Sequence, residues 1–148
     1  MSCFVCDKHR DPALDPVAAD DLVVVTHVSP TAPGTDGKPV YLGHLVVEPR
    51  RHAPGLADLT DEEGAAVGTW VARAGRALRA YGAEHVYSVV TGDRIDHLHQ
   101  HLIPRYPGTP REYWWQRLDE WPQAPLGGAG DVTRVVRDLR THLAVPGR

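Results

Sequence analysis

The segment His97-Leu98-His99-Gln100-His101 places three imidazoles at alternate positions. In an extended strand alternate side chains share one face, about 6.6 Å apart. Imidazoles set side by side repel one another as cations and so favour the neutral form near pH 7. A neutral imidazole can serve as nucleophile, general base or metal ligand. The apolar continuation Leu102-Ile103-Pro104 places this segment in a sheet rather than on a solvated surface. The second chemistry-bearing pair is Cys3 and Cys6, the only two cysteines, spaced C-x-x-C. They are too few and too close to staple a secreted scaffold, which leaves a metal knuckle or a redox pair. The redox alternative is the weaker of the two, because no helix start is expected after Cys6 to lower a thiol pKa.

Elements must position these groups. Asp11-Pro12 and Asp15-Pro16 favour turns, so the segment from Cys3 to about Asp20 is expected to be loop. Leu22–Val28 reads as a β-branched strand, closed by Ser29-Pro30 and Pro33-Gly34-Thr35-Asp36-Gly37. Val40–Glu48 reads as the next strand, with His44 sharing a face with Leu42, Val46 and Glu48. Thr60-Asp61-Glu62-Glu63 matches a capping box, and Val67, Trp70, Val71, Ala74, Leu78 and Tyr81 recur at helical spacing up to Gly82. Val86–Thr91 and Asp96–Pro104 read as a hairpin around Gly92-Asp93-Arg94. Gly108–Gly130 is rich in Trp and Pro. Beyond it Val132, Val135, Val136, Leu139 and Leu143 outline a terminal helix capped by Asp131. The pattern specifies an α+β fold with an antiparallel sheet of about five strands, one long helix and a C-terminal helix.

With 148 residues the chain suits one domain. Sixteen Lys plus Arg against nineteen Asp plus Glu leave a net charge of −3, which provides no basic field for a nucleic-acid polymer or an anionic membrane. No apolar run approaches the roughly 20 residues of a membrane span, and no signal-peptide core is evident, so a soluble cytoplasmic protein is expected.

HLHQHLI, followed by Pro104-Arg105, resembles the His-x-His-x-His-x-x signature of the histidine triad (HIT) family of nucleotide hydrolases and transferases. Upstream, Gly43-His44-Leu45-Val46-Val47-Glu48-Pro49-Arg50-Arg51-His52 is similar to that family's second signature, and the likeness extends over roughly Cys3 to Pro107. The resemblance implies a HIT-like domain acting on a small nucleotide derivative such as a dinucleoside polyphosphate or nucleoside phosphoramidate. His99 would attack the α-phosphorus to form a nucleotidyl-histidine, while His101 manages protons around the phosphate. It also implies a homodimer, with His44 flanking the site, and a structural zinc on Cys3, Cys6, His52 and His97, forming an N-terminal knuckle. Cys₂His₂ is the closed donor set of structural rather than catalytic zinc.

The chain also departs from the family pattern. The loop before the triad is only Thr91-Gly92-Asp93-Arg94-Ile95-Asp96 and lacks a Gln-Ser element, so Arg94 and Thr91 are expected to contact phosphate instead. Thr26 and His27 stand where an acidic ribose partner is common. The aromatic-rich extension, with Tyr113, Trp114, Trp115 and Trp121, is expected to pack in the core or an interface. Two other functions use the same residues: a nucleotide-binding module without catalysis, and a metalloenzyme with all three triad histidines on one ion.

Overall fold

The computed structural model describes residues 2–143. In chain order the regular elements are α1 (Phe4–Arg10), β1 (Ala18–Ala19), β2 (Val23–His27), β3 (Val40–Tyr41), β4 (Leu45–Pro49), α2 (Asp61–Tyr81), β5 (His85–Val89), β6 (Gln100–Arg105), β7 (Leu126–Gly127) and α3 (Ala129–Leu143). Five strands form an antiparallel sheet in the order β1-β2-β4-β6-β5, and β3 pairs with β7 in a separate ribbon. This is the α+β architecture expected. No helix among the described residues is long and apolar enough to cross a membrane.

Strand alternation separates two faces of the sheet. Val23, Val25, Leu45, Val47 and Leu102 turn to one side, where they meet Val67, Ala74, Ala77 and Leu78 of α2 and Val135, Val136 and Leu139 of α3. The opposite face carries His44, Val46, Glu48, His101 and Ile103, and these line a cavity. The helix layer thus makes the core, which leaves the other side free for chemistry.

The long helix starts where its capping box places it. Thr60 Oγ1 accepts from the Glu63 amide at 3.1 Å, and Glu63 Oε1 accepts from the Thr60 amide at 3.0 Å. Arg51 also donates to the Glu63 carboxylate, tying the chain after β4 to the first turn of α2. Its C-cap is Gly82, as expected.

Four local expectations are corrected. Cys3–Asp20 is not a loop throughout: α1 occupies Phe4–Arg10 and β1 occupies Ala18–Ala19. Cys3 is the N-cap of α1, its sulfur accepting from the Cys6 amide at 3.5 Å, while Val5 is buried and Lys8 and His9 are anchored to Glu48. Those tertiary anchors outweigh the turn signals, which act only after Arg10. A helix N-terminus therefore does lie at the cysteines, although burial, followed by its neighbour Cys3, raises the Cys6 thiol above its ordinary pKa. Val40–Glu48 is not one strand either: it breaks at Gly43, whose φ of 96° suits glycine, and Leu42 packs towards the helical core instead of beside His44. β6 begins at Gln100 rather than Asp96, so His97 and His99 sit on irregular backbone before the strand. Finally, α3 begins two residues before Asp131, whose carboxylate accepts from the Gly128 amide at 3.0 Å from inside the first turn.

Candidate functional site

The triad divides its work between two places. His97 is fully buried; its Nε2–H donates to the Pro49 carbonyl at 2.7 Å, which leaves the Nδ1 lone pair facing sulfur. Nδ1 lies 3.5 Å from Cys3 Sγ and 3.4 Å from Cys6 Sγ, and His52 Nδ1 lies 3.6 Å from Cys6 Sγ. The four donor atoms all fall within 4.8 Å of one another. In a tetrahedral zinc site, with Zn–S near 2.3 Å and Zn–N near 2.0–2.1 Å, the sulfur–nitrogen edge is about 3.6 Å. The donor set and its edges therefore fit such an ion, with Cys3 and Cys6 from the start of α1, His52 from beyond β4 and His97 from the approach to β6.

His99 and His101 turn instead into the cavity, which has a volume of about 790 Å³. His99 Nδ1–H donates to the His97 carbonyl at 2.8 Å, so the proton is held on Nδ1 and Nε2 carries the lone pair. The His99 and His101 rings are 5.0 Å apart, and His101 Nδ1 is 2.9 Å from His44 Nε2. Burial, then the nearby His101 and His27, pushes the His44 pKa down to about 3. Burial also lowers His101, and His99 beside it adds to the effect. Both groups are neutral near pH 7. Because His97 faces the sulfurs and the Pro49 carbonyl, the three triad histidines do not converge on one ion.

Two loops and the C-terminal segment complete the walls. Thr91 and Arg94 line the cavity from the loop between β5 and β6. Arg94 reaches the loop after β2, where a Cβ on Gly34 would meet its Nη1 at 3.3 Å. The β3–β7 ribbon carries the aromatic segment over the site. Trp114 is a packing residue as expected: its Nε1–H donates to the Thr109 carbonyl, and the Arg105 guanidinium stacks 3.6 Å from its ring centre. Trp115 packs edge-on against Tyr87, with ring centres 5.3 Å apart. It holds a left-handed φ of 69°, is 38% exposed and lines the cavity. After the Trp-rich segment the chain returns to pair Val40 with Gly127 and Tyr41 with Leu126.

Every proposed site residue is thus in one of two clusters: Cys3, Cys6, His52 and His97 around a metal-sized gap, or His44, Thr91, Arg94, His99 and His101 around the cavity. Sequence reasoning missed three contributors. His27 is clamped at both ring nitrogens, donating to the Val28 carbonyl at 2.7 Å and accepting from the Gly43 amide at 2.8 Å, which fixes the turn that aims His44. Lys8 and Glu48 pair at 2.7 Å in the cavity wall. The hydrophobic alternation did place Glu48 on this face, but its partners come from a helix forty residues away.

A helix-backed antiparallel sheet with paired imidazoles on its open face defines a histidine-triad protein. The chain belongs to the HIT domain family, whose model matches residues 17–108. Curated relatives from Mycobacterium tuberculosis, in strains CDC 1551 / Oshkosh and ATCC 25618 / H37Rv, are called AP-4-A phosphorylase. Each is 29% identical over 113 residues, covering 72% of this chain and 53% of the relative. The chain thus spans about half the length of the curated relatives it matches. Among solved structures, a Zn-bound histidine triad family protein from Mycobacterium smegmatis matches with TM-score 0.70 and 21% identity, over 97% of this chain and 94% of that one. A hypothetical histidine triad nucleotide-binding protein from Sulfolobus tokodaii strain7 matches with TM-score 0.72 and 18% identity, over 95% and 91%. These two likenesses concern the fold.

Proposed function

We propose that the protein is a nucleotide hydrolase or nucleotidyl transferase acting at the α-phosphate of a dinucleoside polyphosphate or nucleoside phosphoramidate. The observation that carries this reading is the His99 tautomer. Donation from Nδ1–H to the His97 carbonyl leaves Nε2 with its lone pair in the cavity. Nε2 attacks the α-phosphorus, an N–P bond forms, and the bond from phosphorus to the leaving group breaks. The leaving group departs with the bond's electron pair and takes a proton from solvent, relayed by the neighbouring His101–His44 pair, which is neutral before reaction and passes a proton back to solvent when water attacks in the second step. Water, or another acceptor, then attacks phosphorus, releases the nucleotide and restores the imidazole. Arg94 and Thr91 face the same cavity and supply donors for phosphate oxygens. The AP-4-A phosphorylase relatives support a nucleotide carrying several phosphates, and their name favours transfer to an acceptor other than water.

Cys3, Cys6, His52 and His97 would hold a structural zinc, which supplies cross-linking rather than chemistry at the reacting bond. The Zn-bound neighbour supports that choice of metal. The position of β5 at the edge of the sheet supports pairing of two copies in a homodimer, and light scattering checks this.

The test is a rapid quench with substrate labelled at the α-phosphorus. The expected product is labelled protein, stable to base and labile to acid, absent in His99→Ala. Binding without label or turnover across a nucleotide panel would instead identify a non-catalytic binding module.

A further inference from the structure

The wall of the cavity nearest α1 contains a part-buried ion pair that the proposed mechanism does not use. Lys8 Nζ donates to Glu48 Oε1 at 2.7 Å and to Thr26 Oγ1 at 3.2 Å, while His9 Nε2 donates to Glu48 Oε2 at 2.8 Å. Glu48 is 2% exposed, and the lining around the pair includes Phe4, Val5 and Val46. Removing two charges from water is costly, and an apolar pair of similar volume is often as stable or more so. Local stability alone gives little reason for charges here.

The sheet register locates the pair relative to the reacting group. Val46 lies between Thr26 on β2 and His101 on β6. Glu48 lies two residues further along β4 on the same face, and Glu48, Lys8 and His99 line one cavity. Lys8 bridges β4 and β2 on the far side. Its ammonium therefore stands across β4 from β6, up to two strand spacings of about 4.8 Å away. A phosphorus at His99 would leave the sugar and base of the same nucleotide to span that distance.

The charge pattern distinguishes what can bind there. A carboxylate beside the ammonium cancels its charge and opposes a phosphate oxygen, so the pair is poorly built for an anion. It is well built for a flat heteroaromatic edge. Lys8 has three N–H donors, two of them engaged, and each Glu48 oxygen has more lone-pair capacity than the one bond it accepts. The apolar surfaces of Phe4, Val5 and Val46 suit the ring faces. We propose that Lys8 and Glu48 form a base-reading pair, presenting a donor beside an acceptor to the edge of the nucleobase whose α-phosphorus sits at His99. This assignment rests on the nucleotide reading above.

Calorimetry in the His99→Ala background, where nothing turns over, tests it with AMP, GMP, CMP, UMP and ribose 5-phosphate. The unmodified pair is expected to separate the four bases by about tenfold or more in Kd, the scale of one hydrogen bond to a charged group. Lys8→Met combined with Glu48→Gln, which leaves no uncompensated charge, is expected to bring the four within about threefold and to leave ribose 5-phosphate within about twofold. Retained metal content and far-UV spectrum establish that α1 stays docked. If the double variant loses α1, Lys8→Arg is read instead; it keeps the charge and is expected to change the base ranking. A persistent base preference in the double variant, an unchanged ranking in Lys8→Arg, or an equal loss for nucleotides and ribose 5-phosphate would overturn the proposal. Nucleotide binding without base discrimination overturns this proposal alone. No nucleotide binding, together with no label on wild type, overturns the nucleotide reading and this one with it.

Discussion

His44 makes the acid stability of the fold measurable at one residue. Burial and the neighbouring imidazoles push its pKa down to about 3, so in the folded protein it stays neutral throughout mildly acidic pH. In the unfolded chain it takes up a proton near the ordinary value of about 6.5. Below that pH the unfolded state binds more protons than the folded one, and stability falls by about 1.4 kcal/mol per pH unit until the folded group also titrates. Between about pH 6.5 and pH 4.5 this single site removes about 2 to 3 kcal/mol, a large share of the typical stability of a small domain. His44→Gln does not titrate, and its amide can still bond His101. Urea unfolding of both proteins over that range isolates the term, because changes at the carboxylates and the Cys/His cluster are common to both. The variant curve is expected to be flatter by about 2 to 3 kcal/mol, whatever its stability at neutral pH. Parallel curves would refute the buried neutral His44 and, with it, the neutral pair assigned to proton handling.

Other consequences of the geometry are checked separately. Cys6→Ser and His52→Ala are expected to lower bound zinc well below about one ion per chain and to lower Tm, whereas His99→Ala keeps the metal; atomic absorption and thermal melts read both effects. His99→Ala should reduce turnover by at least about 10³-fold while retaining nucleotide binding, measured by steady-state kinetics beside calorimetry. Gly43→Ala forces a side chain into a left-handed turn, where its Cβ would meet Pro104 Cγ at 2.7 Å. A loss of more than about 1 kcal/mol and a displaced His44 resonance are expected by denaturation and NMR. Leu78→Ala empties a fully buried position between α2 and the sheet and should cost about 2–5 kcal/mol in the same denaturation assay, without changing the metal content.

The amino-acid sequence determined whatever depends on neighbours a few residues apart. The Thr60–Glu63 capping box closes within one turn, and Val67, Ala74 and Leu78 reach the core because helical periodicity carries them there. The two histidine signatures likewise carried their own spacing, and their residues lie in two clusters. Tertiary structure decided what depends on distant partners. Phe4–Arg10 becomes a helix because Glu48 and Thr26 take up Lys8, Glu48 takes up His9, and Val5 is buried, none of which the local Asp-Pro signals encode. His97 parts company with His99 because the Pro49 carbonyl and the cysteine sulfurs capture its ring, a contact across dozens of residues. Trp115 lines the cavity and meets Tyr87 of β5, a residue distant from it in the chain. Periodicity and capping act through the chain itself, whereas these choices rest on side chains that meet only once the sheet has assembled.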